Sequence, residues 1–513
     1  MGRVRYAAKN IAFGWMGNVI TLFLGAALRQ VFITRLGDTL LGISDYYTSI
    51  LTVLSLAELG ISTAFNYSLY GPVARNEVEK VKSYMRLYKK AYRGIAAAIA
   101  AIGLAIVPFL KYLIKDPGSV SLRDITICYL IVLFNTVSSY FVAYKYSLAN
   151  AQQKNYIETN VITITKTLTI SLQIAGLYFF PNFYLYLVTA VAIELTQKIF
   201  VSLYLDRMYP YLKDKKVEKL SEEEVGGIVG QTKALVLHRV GDMARSQTDA
   251  MIIAAFIDVT TVNFVGSYNH VISSVSNFVN IIFNSVLSGF GNLIATEKKE
   301  KQYWMFQVYR FLGCWIYGFS AIGFFLMLTP LIILWVGEER ALSDLVIGCI
   351  MFDYYFKGER IVLTNYKTAA GVFQQDKYLP IIQGVVNLVI SIVLVQKIGL
   401  VGIYIGTIIS GLIANITRPF IIYKVCFNKS VAVYFKDSFK YAAVNAAVLV
   451  LLLFLKNSIM TSVTIPMFIL MVGIITVVYN AFFVLIFGRC REFAYLWGLV
   501  ADKIQKKSRI KNK

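Results

Sequence analysis

Fourteen stretches of about 20 mostly apolar residues follow one another along the chain, and no other feature constrains the fold as much. They lie near residues 10 to 34, 41 to 68, 91 to 115, 124 to 150, 157 to 178, 184 to 205, 233 to 257, 263 to 294, 306 to 330, 341 to 365, 379 to 396, 400 to 423, 437 to 455 and 464 to 488. A stretch of this length crosses a bilayer as a helix, because a helix satisfies its own backbone polar groups where there is no water. With 57% hydrophobic and 16% charged residues, the chain reads as an all-α integral membrane protein of about fourteen transmembrane helices. The leading MGRVRYAAKN and the apolar run behind it are too long for a signal-peptide core, and no clear cleavage site follows. They read as a retained first helix.

The net charge of +22 would suggest nucleic acid in a soluble protein; in a membrane protein it sets orientation instead, and no nucleic-acid partner is expected. With a cytoplasmic N-terminus, the inward segments carry 31 Lys and Arg and the outward loops 5, so both termini are expected in the cytoplasm. The two longest loops, about 69 to 90 and 206 to 232, are inward and basic, suited to contact with anionic membrane lipids. Every outward loop is roughly a dozen residues or fewer, which leaves no room for an outward catalytic domain and argues against an enzyme. The five cysteines form no CxxC pair and give neither a disulfide framework nor a zinc site. Gly226-Gly-Ile-Val-Gly-Gln-Thr-Lys233 has the wrong spacing for a phosphate-binding loop and no strand before it, and HExxH and GxSxG are absent. No cofactor or metal is expected.

Gln152-Gln-Lys-Asn-Tyr156 recurs as Gln374-Gln-Asp-Lys-Tyr378, 222 residues later. Thr196-Gln-Lys-Ile-Phe200 resembles Thr417-Arg-Pro-Phe-Ile421 at 221, and Gly42 matches Gly266 at 224. The offset spans six helices, an even number, so the halves enter the membrane in the same sense, as two six-helix lobes related by a pseudo-two-fold axis along the membrane normal. The expected organisation is an N-lobe over 1–205, a basic linker over 206–232, a C-lobe over 233–430, two further helices over 431–490, and a basic tail over 491–513.

Several spans carry polar residues that lipid would not tolerate, which marks them as facing a bundle interior or a wet cavity. In HRVGDMARSQTD, the repeat places His238, Asp242, Arg245 and Asp249 within about 60° on span 7, with Arg239 beside them; a surface-lying amphipathic helix is the other reading. Span 8 carries His270, Ser273, Asn277, Asn280 and Asn284 on one line, and span 2 carries Asp45, Thr48, Thr52 and Ser55, with Glu58 on another face. Span 10 carries Asp353, Lys357, Arg360, Thr364 and Lys367 in register, either as ligands or as structural ion pairs such as Asp353 with Lys357. Glu359 lies off that stripe, placed to pair with a neighbouring helix. Arg29 in span 1 either snorkels outward or is the first lobe's cavity cation. Helices 1, 2, 7 and 8 thus supply cations, carboxylates, amides and hydroxyls suited to a large polar ligand with anionic groups. The almost uncharged spans 13 and 14 suit either a lipid tail or the bracing of a lobe.

The segment LGDTLLGISDYYTSILTVLSLAELGISTAFNYSLYGPVARNE, Leu36 to Glu77, resembles the opening of the polysaccharide-repeat-unit flippases, the Wzx-type branch of the multidrug/oligosaccharidyl-lipid/polysaccharide exporter superfamily. The resemblance implies a flippase in a bacterial cytoplasmic membrane that moves undecaprenyl-pyrophosphate-linked oligosaccharide by alternating access for cell-surface polysaccharide. It implies Arg29, Arg239 and Arg245 as contacts for pyrophosphate or acidic sugars, a polysaccharide polymerase and glycosyltransferases as partners, and H+ or Na+ as candidate coupling ions. The helix count is similar to the lipid II flippases, whose last two helices form a groove for the lipid tail. A cation-coupled multidrug antiporter of the same superfamily, using Asp45 and Glu58 as cation ligands, is the alternative. A membrane glycosyltransferase or polymerase is a more distant one.

Overall fold

The computed structural model describes residues 2–498 apart from 56–64, 66–67, 70, 74, 115–117, 119, 153, 215–216, 231, 233–246, 371 and 373. The principal helices are α1 (Gly2–Leu36), α2 (Asp38–Leu54), α3 (Val78–Ile106), α4 (Leu122–Ala151), α5 (Asn155–Phe179), α6 (Phe183–Met208) and α7 (Thr248–Phe256). They continue as α8 (Val259–Thr296), α9 (Lys299–Val336), α10 (Asp344–Ala369), α11 (Leu379–Ile398), α12 (Leu400–Ile422), α13 (Ala432–Ile459) and α14 (Ile465–Phe487). No strand occurs among the described residues. Where helices follow short connections, side chains satisfy the first amides: Ser121 accepts from the Asp124 amide at 3.1 Å and Asn182 from the Leu185 amide at 3.1 Å.

Ten of these helices are long and apolar enough to cross a membrane. The four others are α2, α7, α8 and α10, the same four in which the sequence concentrates polar residues. Helices α8 and α10 have the length, 38 and 26 residues, but carry too many polar groups, while the described parts of α2 and α7 are 17 and 9 residues. A multi-pass membrane protein is the result.

The chain divides into two compact units, Met1–Gly266 with Pro380–Leu388, and Ser267–Leu379 with Val389–Lys513. In unit 1, α1 packs along α5, α3 along α4, and α4 and α5 against α6. Aromatic side chains fill the contacts, with Phe32 edge-on to Tyr186 at 4.8 Å, and buried tyrosines satisfy their hydroxyls on backbone: Tyr47 donates to the Ile125 carbonyl at 2.6 Å and Tyr88 to that of Phe65 at 2.9 Å. The linker is strapped to α3. Residues 222–230 are helical behind a reciprocal Ser221–Glu224 cap, so the glycine-rich 226–230 is a helix and not a phosphate loop. Lys80 pairs with Glu224 at 2.8 Å, Lys82 with Asp214 at 2.6 Å, and Ser83 donates to the Glu218 carbonyl at 2.8 Å.

In unit 2, α9 packs along α10, α10 along α12, and α13 and α14 against α9. Phe311, Leu326, Leu452, Met471, Ile475 and Phe483 form a closed apolar core between α9, α13 and α14. Tyr479 of α14 donates to Asn445 of α13 at 2.9 Å, and the Trp315 indole donates to Asn480 at 3.0 Å. The outer sides of the pair are bare apolar surface, Phe454 at 68% and Leu485 at 80% exposure, which lipid tails cover at no cost. Of the two roles open to spans 13 and 14, the bracing of α9 is the one their inner faces perform.

Candidate functional site

Two turns before the end of α1, Arg29 turns its guanidinium onto oxygens from two other helices. Its Nη2 donates to Asp45 of α2 at 2.8 Å and, at the start of α8, to the side-chain oxygen of Asn263 at 2.6 Å and the Asn263 carbonyl at 2.7 Å. The Asn263 amide nitrogen donates onward to Asp38 at 2.7 Å, and the hydroxyls of Thr39 and Thr260 lie 3.3 Å apart. Asp258 fixes the α8 start by accepting from the Thr261 amide at 2.6 Å and its hydroxyl at 2.8 Å.

Two glycines make this junction possible. A Cβ on Gly42 would stand 2.0 Å from the Val259 carbonyl oxygen, and one on Gly266 would stand 2.4 Å from the Asp45 carboxylate and 2.6 Å from Arg29. The repeat pairs Gly42 with Gly266, and both serve close approach between α2 and the first turns of α8. The Arg29 side chain is 10% exposed and that of Asp45 29%. A partly desolvated guanidinium that spends its donors on one carboxylate and one amide is held firmly, and it is also the group a phosphate oxygen would compete for.

Asp249 stands half-buried in the first turn of α7, beside Thr248, whose hydroxyl donates to Asn387 at 3.4 Å. Arg239, Asp242, Arg245, His238 and Glu58 lie outside the described residues, so the expected charged stripe of span 7 is represented by Asp249 alone. On α2 the hydroxyls of Thr48, Thr52 and Ser55 donate back to carbonyls four residues earlier, satisfied within their own helix.

In unit 2, the polar line of α8 is its less buried side. Ser273 and Asn277 are exposed and His270 and Asn280 half-buried, while Ile272, Val279 and Phe283 turn inward. His270 lies 6.0 Å from the Trp335 ring, Asn280 accepts from the Tyr317 hydroxyl at 3.4 Å, and Asn284 belongs to the helix. On α10, Asp353 pairs with Arg360 at 3.6 Å, two turns along. Arg360 is buried and also donates to the Gly411 carbonyl of α12 at 2.6 Å, whereas Lys357 is exposed. These groups satisfy structural needs of α10 and α12. Glu359 is buried against α9, its carboxylate 3.8 Å from the Cys314 sulfur.

Sequence reasoning singled out Lys367 but passed over the other members of a set of buried cations. Lys145 bonds Asp206 at 2.6 Å and Ser202 at 2.7 Å, and Lys198 bonds Asn135 at 2.8 Å and Ser138 at 2.9 Å, tying α4 to α6. In unit 2, Lys367 bonds Asp376 at 2.7 Å, Arg418 lies 3.6 Å from the same carboxylate, and Arg310 of α9 donates to Ser438 and the Tyr434 carbonyl of α13, both at 2.7 Å. A signal was present. The repeat extends back to Tyr144-Lys145 and Tyr366-Lys367, eight residues before each Gln-Gln, so the two lysines are repeat equivalents.

No protein-family model and no curated protein sequence matches the chain. Solved structures do. The fold is similar to that of the lipid II flippase MurJ in an inward closed conformation, at 14% identity over 93% of this chain and 99% of that one, with a TM-score of 0.67. It is similar also to a multidrug resistance MATE family transporter of the MOP superfamily, inward-facing, at 13% identity over 77% and 92% with a TM-score of 0.59. An outward-facing structure of such a transporter matches at 12% identity over 85% and 95%, with a TM-score of 0.51. The fold expected from the sequence is therefore the fold found.

Proposed function

We propose that the chain is a Wzx-type flippase that moves polyprenyl-diphosphate-linked oligosaccharide across the cytoplasmic membrane by alternating access, with both termini cytoplasmic. The observation that carries this reading is the Arg29 junction: a fixed cation within the first apolar helix, neutralised by a carboxylate and an amide that an anionic ligand can replace. The likeness to a lipid II flippase over nearly all of both chains supports a lipid-linked cargo over a cationic drug.

The junction suggests how ligand and conformation are linked. A diphosphate offers Arg29 more charge than Asp45 does, and in bidentate geometry. Moving the guanidinium to phosphate frees Asn263 and removes one of the bonds that hold the α8 start to α1 and α2. Ligand binding then favours the arrangement in which these helices part, by as much as the phosphate prefers the freed arginine. The amides and hydroxyls of α8, with Ser273, Asn277 and Asn280, suit sugar hydroxyls. Asp249, Arg239, Asp242, Arg245, Asn284, His270, Glu58, Asp353, Lys357 and Arg360 remain in the proposed set, the last three in a mainly structural role.

The test is reconstitution of the whole chain in proteoliposomes with a labelled polyprenyl-diphosphate oligosaccharide. Label becoming accessible on the far leaflet, and lost in Arg29→Ala, is the expected result. Absence of flipping together with ion-driven efflux of a cationic dye would identify the antiporter instead. With no nucleotide-binding motif in the sequence, an inside-negative potential is the proposed drive, helping two phosphate charges outward by about 2.3 kcal/mol per charge per 100 mV. Imposing the potential should raise the initial flipping rate, and a rate indifferent to it sinks this source of drive.

A further inference from the structure

Helix α3 carries four exposed cations, Arg86, Lys89, Lys90 and Arg93, in consecutive turns. At 100° per residue they fall within about 100° of one another, opposite the buried face formed by Tyr84, Tyr88, Tyr92 and Ile99. Their face continues along the same helix through the exposed Ala97, Ala101 and Leu104, the last 56% exposed. An exposed apolar strip of this kind is what hydrocarbon covers at no cost, and with lipid on that side the cations would stand just beyond the hydrocarbon edge. From Arg86 to Arg93 the helix rises about 10 Å, comparable with the headgroup layer.

Two controls lie within the molecule. The basic residues before the stripe are neutralised internally, Arg75 by Glu77, Lys80 by Glu224 and Lys82 by Asp214, whereas Lys89, Lys90 and Arg93 form no ion pair among the described residues. The repeat-equivalent positions in α9, 222 residues on, are Val308, Phe311, Leu312 and Trp315, so the six-helix pattern does not require cations there.

We propose that this face of α3 is a docking site for an anionic glycerophospholipid, its phosphate held by Arg86, Lys89, Lys90 and Arg93 and its acyl chains lying along Ala97, Ala101 and Leu104. The site is independent of the transport reading, because it binds a lipid of the surrounding leaflet and not the cargo. Guanidinium and ammonium donors on successive turns suit the phosphates of phosphatidylglycerol or cardiolipin, and an acyl surface directly continuous with them excludes a free phosphate as the natural occupant.

The full chain in nanodiscs, read by native mass spectrometry, tests this. Phosphatidylglycerol is expected to be retained over phosphatidylcholine, and the variant R86Q/K89Q/K90Q/R93Q to lose about tenfold or more of it. K298Q/K299Q/K301Q, which removes exposed lysines at the start of α9, is expected to leave retention unchanged. Equal retention of the two lipids by the natural chain overturns the proposal, as does full retention by the quadruple variant or displacement of the lipid by polyprenyl diphosphate alone. Should the variant fail to fold, the natural chain still decides: retention that does not weaken between about 0.05 M and about 0.5 M salt overturns it.

Discussion

At the scale of single residues, the Arg29 junction shows what a sequence can and cannot display. Arg29 and Asp45 were legible one at a time, because a charge inside an apolar helix announces itself. Their partnership was not, since 16 residues separate the pair and 234 separate Arg29 from Asn263, and no helical period links positions so far apart. Asp45→Asn removes the anion and leaves the guanidinium underpaired, an expected loss of about 3 kcal/mol, seen as a lower thermal midpoint in detergent. Arg29→Lys keeps the charge but replaces a planar fork with a point ammonium. It is expected to slow flipping about tenfold, measured as the initial rate in proteoliposomes. Gly42→Ala drives a methyl group into the Val259 carbonyl and should destabilise by about 1 to 3 kcal/mol. Gly266→Ala meets only the ends of side chains, so it should displace the ion pair and reduce transport more than stability.

Among the elements, period and length told more. Helices α8 and α10, long enough to cross but too polar to count as apolar spans, are two of those in which the sequence gathered its polar stripes, because both readings rest on the same cost of polar groups in lipid. The role of α13 and α14 was not legible, since an apolar helix reads alike whether its neighbour is a lipid tail or another helix. Their core against α9 gives a discriminating test: Phe483→Ala is expected to cost about 3 kcal/mol of stability, whereas a helix serving only to guide a lipid tail would lose transport with its stability intact. The linker looked basic throughout, yet its acids strap it to α3. The Lys80 ammonium, hydrogen-bonded to Glu224, holds that carboxyl below its usual range. A depressed carboxylate contributes above its ordinary titration and loses that contribution as pH falls through the lowered value. Proteolytic cleavage between residues 206 and 232 should therefore rise as pH drops below about 4, and Glu224→Gln should raise it at neutral pH.

At the scale of the whole molecule, the duplication carried most of the information. It grouped the apolar stretches into two like-oriented lobes and paired Gly42 with Gly266, both of which prove to be points of close approach. It also reaches beyond the Gln-Gln motif to the buried lysines seven residues upstream of each, of which Lys367 stands on a polar stripe while Lys145 has no charged neighbour at helical spacing to mark it. Those lysines also differ in a way that bears on how the chain assembles. Lys145 finds its carboxylate 61 residues away at the end of α6, and Lys367 finds one nine residues away in its own connection. Loop-closure entropy makes the longer contact about 1.7 kcal/mol harder to bring together. The latch of the later-synthesised half can close as soon as its loop leaves the ribosome, while that of the earlier half must wait for two further helices to insert. Counted from the synthesis of its own lysine, the second latch should then close sooner, and removing Asp206 should delay maturation of nascent chains where removing Asp376 leaves a short local fault.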